Sequence, residues 1–169
     1  SSSGLGPWSV FGAITYRLTN GVFEFYRSAY DPAGVVLQPT GVALPAQSRL
    51  TMTLGLGNSS GVRKRVSVFV HDNDFSDSAD CTFWLEPGAA IRTHTIKVVT
   101  SKAWANATVS IYGATVDTSQ WIRLDDVSVR TTPSASMLGT ECIEPSGTTP
   151  TTPTPLWPTM PTASPSRNW

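Results

Sequence analysis

The chain has 169 residues, 12 basic and 12 acidic side chains and a formal net charge of zero. That is enough length for one domain with a real core, and the charge balance gives no reason to expect nucleic acid or an anionic membrane as partner. Charged residues are 14% against about 25% in an average soluble protein, so Ser, Thr, Asn and Gly must dress the surface, which suits an extracellular or cell-surface setting.

Two cysteines, Cys81 and Cys142, occur without a C-x-x-C and with two histidines only, which argues against zinc. One disulfide is the natural reading, closing a loop of about 60 residues and stabilising by roughly 4 kcal/mol in the chain-entropy model; two unpaired buried thiols are the alternative. The chain opens on Ser1 without Met, a basic stretch or an apolar leader, and no run of about 18 apolar residues follows. The expectation is a secreted chain with any signal already removed and no transmembrane segment.

Residues 8–18 and 22–27 are β-rich runs around Thr19-Asn20-Gly21, a strong hairpin signal. Asp31-Pro32-Ala33-Gly34 is a turn, and residues 35–44 form a strand that Pro39 demotes to an edge or a bulge. Leu50, Met52, Leu54 and Leu56 then alternate with Thr51, Thr53, Gly55 and Gly57, one face core and the other small and polar. After the turn Asn58-Ser59-Ser60-Gly61, Val66, Val68 and Val70 carry the next core face against Ser67, Phe69 and His71. Further strands are read at 81–86, 91–100, 107–116 and 121–130, about nine in all, with no helical period of any length. The fold class is therefore all-β, an antiparallel β-sandwich or jelly roll. In the closing strand Ile122 and Leu124 fall on one face and Val127 and Val129 on the other, so Asp125-Asp126 marks a one-residue slip, a bulge or a ligand site.

Beyond residue 131 a Thr/Pro tract, 148–155, reads as extended polyproline-like chain. Its Thr run suits O-linked glycan. The domain division is an N-terminal segment 1–7, a sandwich 8–131 and a Thr/Pro-rich tail 132–169. Trp157, Met160 and Trp169 are apolar anchors for which a plain spacer has no use.

Trp121-Ile122-Arg123-Leu124-Asp125-Asp126-Val127-Ser128-Val129, the preceding Val109-Ser110-Ile111-Tyr112 and the hydroxyl-rich alternation of residues 50–56 resemble the galactose-binding-like jelly rolls that include many bacterial carbohydrate-binding modules. The resemblance spans residues 8–130. It implies a structural calcium helped by Asp125 or Asp126, and an opening strand of Asn-Gly-Phe-Glu type that is not seen before Trp8. A sandwich short of one strand leaves an unpaired edge and an apolar groove, which a neighbouring subunit can fill to build a fibre.

Four local patterns carry chemistry. Asp72, Asp74 and Ser76 have the 1-3-5 spacing of a calcium loop, but Asp77 and Phe83 stand where its Gly and Glu belong; a solvated loop is the alternative. Trp84, Trp104, Trp121 and Tyr112 are candidates for an aromatic platform under a sugar ring, Trp104 foremost because it sits in a turn, against the alternative of core packing. Gly57-Asn58-Ser59-Ser60-Gly61 matches a nucleophile elbow in letters only, since it joins two strands. Asn58 and Asn106 head N-glycosylation sequons. No catalytic constellation and no required cofactor emerge. Two functions stay open: a non-catalytic cell-surface subunit that self-associates into a homopolymeric filament, coated with covalent glycan; and a carbohydrate-binding module that a Thr/Pro linker joins to an enzyme or anchor, with polysaccharide as partner.

Overall fold

The computed structural model describes residues 7–133 and 139–145. These form eleven strands: β1 Ser9–Phe11, β2 Ile14–Thr19, β3 Val22–Arg27, β4 Val35–Pro39, β5 Arg49–Asn58, β6 Lys64–Asp72, β7 Ser78–Leu85, β8 Arg92–Val99, β9 Ala107–Gly113, β10 Ile122–Thr131 and β11 Glu141–Ile143. They make two sheets, ordered β1-β4-β9-β6-β7 and β11-β8-β5-β10-β3-β2, with every strand pair antiparallel. The expected all-β jelly-roll sandwich is the fold.

Its core follows from the period-2 pattern. Leu50, Met52, Leu54 and Leu56 of β5 meet Val66, Val68 and Val70 of β6 and Val109 and Ile111 of β9 in one buried cluster between the sheets. The β2–β3 hairpin turns on Asn20 and Gly21, both at positive φ, as the Asn-Gly signal requires.

Two strands exceed the expected nine. Residues 8–18 are not one run, because the chain changes sheets at Gly12. With its φ of +76°, and only 1.8 Å between the place a Cβ would occupy and the Ala33 carbonyl oxygen, that position admits no other residue. The second addition, β11, lies inside what the composition marked as tail, so the sheet does not end at residue 131. It pairs with β8, and the Cys81–Cys142 disulfide ties it to β7. The bond thus joins edge strands of the two sheets along one side of the sandwich.

The closing strand departs from its expected facing. β10 runs against β5 with one extra residue between Asp125 and Ser128, and Asp126 takes a positive φ of 46°. That bulge restores the phase, so Val127 and Val129 pack on the same core as Ile122 and Leu124 rather than on the opposite face. On its other side β10 pairs with β3 through Ile122, Arg123 and Leu124. Among the described residues, Ser128 to Thr131 have no strand partner on that side, beside an apolar cleft lined by Val42, Leu44, Leu50 and Val129.

Candidate carbohydrate-binding face

The outer faces of the two sheets differ in what they leave open. On the six-stranded sheet, Gly55 and Gly57 lie directly beneath Ile91, with under 3 Å from the position of a Gly55 Cβ to the Ile91 side chain. The small face of β5 is thus a seat for the loop before β8. Further along, Glu24 is buried between Arg17 at 2.6 Å and Arg123 at 3.1 Å, and Trp121 is held by the Arg17 guanidinium at 4.3 Å and by Tyr26 at 5.2 Å. That face is largely self-satisfied.

The five-stranded sheet presents a different surface. With Val66, Val68 and Val70 turned inward, β6 points Arg65, Ser67 and Phe69 outward, and the register sets Tyr112 beside Ser67 and Ser110 beside Phe69. Tyr112 lies opposite Val35, which lies opposite Phe11. β7 adds Trp84 beside Arg65, Thr82 beside Ser67 and Asp80 beside Phe69. The Phe69 and Tyr112 rings meet edge to face at 5.4 Å, and Phe75 from the β6–β7 loop meets Phe69 at 6.4 Å. Phe75 and Phe11 are about half exposed, at 49% and 56%. The result is a line of aromatic rings on the outer face, open to solvent at Phe75 and Phe11 and half-buried at Phe69 and Tyr112, with the Ser67 and Thr82 hydroxyls beside it.

Below Phe75 lies His71, stacked with centroids 3.6 Å apart. His71 is buried. Its Nδ1 is 2.6 Å from the Asp72 carbonyl oxygen, which can only accept, so Nδ1–H donates and Nε2 takes the hydrogen bond of the Ser110 hydroxyl at 2.8 Å. Burial pushes this imidazole below its ordinary pKa, against the Asp72 carbonyl bond and the Asp72 charge. The histidine is a neutral support for the aromatic line.

Of the expected platform residues, the structure brings Tyr112 and Trp84 to this face and sends Trp104 elsewhere. Trp104 is 2% exposed. Its backbone pairs in both directions with Leu44, at 2.8 and 2.9 Å, and its indole N–H donates to Asp77 Oδ2 at 2.8 Å. A tryptophan so enclosed offers no ring face to a sugar. Trp84 is half-buried, with the Arg63 guanidinium 4.4 Å from its ring centre. Phe69, Phe75 and Phe11 are members of the line that the sequence reading does not single out. The available signal for Phe69 is its place among the outward residues of β6.

At the expected calcium residues, one side-chain oxygen of each of Asp72, Asp74 and Asp125 is engaged in local hydrogen bonds. Asp72 Oδ1 accepts from the backbone N–H of Asn73, Ala105 and Asn106. Asp74 Oδ1 accepts from the Ser76 N–H and hydroxyl, and these bonds hold its carboxyl below the usual range. Asp125 Oδ1 accepts from the Asp126 N–H inside the bulge. Among the described residues no group of three His, Cys, Asp or Glu could hold a metal ion. Asn58 is also fully engaged: its side chain donates to Val62 and Leu85 carbonyls and accepts from Ser60. Being buried, it offers no room for a glycan, and Ser59 has no histidine beside it in that network. Trp157, Met160 and Trp169 lie outside the described residues.

No family model and no curated protein matches the chain. Solved structures do. A CBM4 carbohydrate-binding module superposes with a TM-score of 0.58 at 16% identity, over 75% of this chain and 95% of that one. The family 29 module CBM29-2 gives 0.51 at 12% identity, over 75% and 76%. The enzymatically active domain of tailspike protein 4 of bacteriophage CBA120 gives 0.54 at 8% identity, over 75% of this chain and 20% of that one. The chain has the jelly-roll β-sandwich fold found in carbohydrate-binding modules, and at these identities the likeness is one of fold.

Proposed function

We propose that this chain is a non-catalytic carbohydrate-binding module of a secreted protein, with polysaccharide laid across the outer face of the five-stranded sheet. The observation that carries this reading is the line Phe75–Phe69–Tyr112–Phe11 with the accessible hydroxyls of Ser67 and Thr82 beside the rings. Sugar rings present apolar C–H faces to aromatic faces and hydroxyls at their rims, so rings with hydroxyls beside them complement both parts. A disulfide and a surface poor in charge support an extracellular place of work. The fibre-subunit reading keeps the unpaired stretch of β10 in its favour; the module reading has both the fold comparisons and the open aromatic face.

The test is affinity electrophoresis through a panel of soluble plant and microbial polysaccharides. At least one should retard the wild type, and Tyr112→Ala and Phe69→Ala should each weaken that binding by about tenfold or more, roughly 1.4 kcal/mol, while the β-sheet circular dichroism shows each variant still folded. Free migration of the wild type through the whole panel would reject the reading.

A further inference from the structure

Resting on that reading, we propose that the Arg65–Trp84 corner of the aromatic face selects an acidic sugar residue, a uronate whose carboxylate pairs with the Arg65 guanidinium. Arg65 and Trp84 are opposed partners on β6 and β7, and both are half-buried. Two guanidiniums approach the Trp84 ring, Arg63 at 4.4 Å and Arg65 at 5.9 Å. They are not equivalent. Arg63 is paired to Glu86 at 2.7 Å, which neutralises it locally and packs Trp84 into a fixed wall. Arg65 has no carboxylate within ion-pair distance among the described residues. The other acid on this face, Asp80, is opposite Phe69, four residues along β6 and so about 13 Å away, beyond the screening length of about 8 Å at physiological salt.

The corner therefore carries one uncompensated positive charge against an aromatic wall, beside the hydroxyls of Ser67 and Thr82, which are 3.4 Å apart. A guanidinium fork matches a carboxylate in two parallel hydrogen bonds, geometry that a hydroxyl does not return. The rings of Tyr112 and Phe69 hold the chain of sugars without regard to charge; Arg65 reads whether the unit at this corner is ionised. A carboxylate and a sulfate ester share the anionic chemistry. The planar fork favours the planar carboxylate.

The experiment uses calorimetric titration with two matched pairs: polygalacturonate against its methyl ester, and glucuronoxylan against the same xylan stripped of glucuronate, with a sulfated galactan as third arm. The wild type should prefer the acid form of at least one pair by about tenfold, and 0.5 M salt should shrink that preference. Arg65→Ala should abolish the preference while leaving binding to the neutral member, and Arg65→Lys should retain part of it. Equal binding to acid and neutral forms, or a preference that survives in Arg65→Ala, overturns the inference while the binding-module reading stands. Tighter binding to the sulfated galactan than to either uronate overturns the carboxylate assignment. No binding to any of these or to the neutral panel overturns both.

Discussion

Asp77 fixes the position of Trp104 with a single oxygen. Its Oδ2 accepts from the Trp104 indole N–H and from the Ser101 backbone N–H, each at 2.8 Å. Burial works against the charged carboxylate, and the bonds from Trp104 and Ser101 outweigh it, so the group ionises more readily than usual. A buried indole whose N–H loses its partner bears the full desolvation cost, about 1–3 kcal/mol. Asp77→Ala should therefore lower unfolding free energy by about that amount in urea titration. Asp77→Asn keeps one acceptor oxygen and should lose less. Equal stability of Asp77→Ala and wild type would remove Asp77 as the anchor. Trp104 itself is not on the aromatic face, so polysaccharide retention should be kept in Asp77→Asn, which preserves an anchor for the loop that carries Phe75.

Among the elements, β11 depends most on one covalent contact. It has three residues, all exposed, and among the described residues pairs with β8 alone. The Cys81–Cys142 bond spans 61 residues of sequence and on loop length alone contributes about 4 kcal/mol, with measured bridges more often giving about 2–4. Cys142→Ser should thus lower the urea midpoint while preserving the β-sheet circular dichroism, since the remaining pairing does not pass through β11. A variant that loses its sheet signal would show that β11 helps close the core. This element was also the least legible in the sequence. Its three residues show no alternation, follow Pro133 within Thr/Pro-rich composition, and are placed by a cysteine pairing that spacing alone does not settle. β5 and β6 were legible because each has one fully buried face, whose identity a one-residue shift would reverse. β10 was legible as far as Leu124; beyond it a bulge with Asp126 at positive φ re-phases the chain, and a period-2 count reads that as a change of face. Trp104 was misplaced for a related reason: its segment belongs to no named strand, yet its mutual backbone bonds with Leu44 draw the ring inward. Tyr112 and Trp84 sit on regular strands, where alternation places outward residues reliably.

For the molecule as a whole, the two buried histidines set the first stage of acid sensitivity. Burial lowers the pKa of His71, as above. For His94 burial acts again, opposed by its hydrogen bond to the Arg92 carbonyl and reinforced by the Arg92 charge. Between each lowered pKa and the unfolded value of about 6.5, the unfolded chain binds more protons than the folded one, so stability falls as pH falls through that window. Glu144, 3.5 Å from His94, acts in the opposite sense. Burial raises its pKa, so the folded state takes up its proton first, and the stabilisation this brings is lost as pH rises through the raised value. Its side chain is about half exposed, and solvent screening leaves that contribution small. Asp74, Asp77 and Asp117 have lowered pKa values, and their stabilisation is lost only as pH falls below about 4. Acid destabilisation should therefore start with the imidazoles and be added to by the carboxylates at lower pH. The melting temperature should begin to drop as pH falls through the unfolded imidazole value of about 6.5, where the unfolded chain starts to bind the extra protons, and drop further below about pH 4 as the carboxylates protonate. His94→Gln should reduce the imidazole part of the drop, leaving the share of His71, and leave the carboxylate part in place, as calorimetry across that range would show. A melting temperature that rises as pH falls just below about 6.5 would mean that the histidines gain a proton on folding, contrary to their burial.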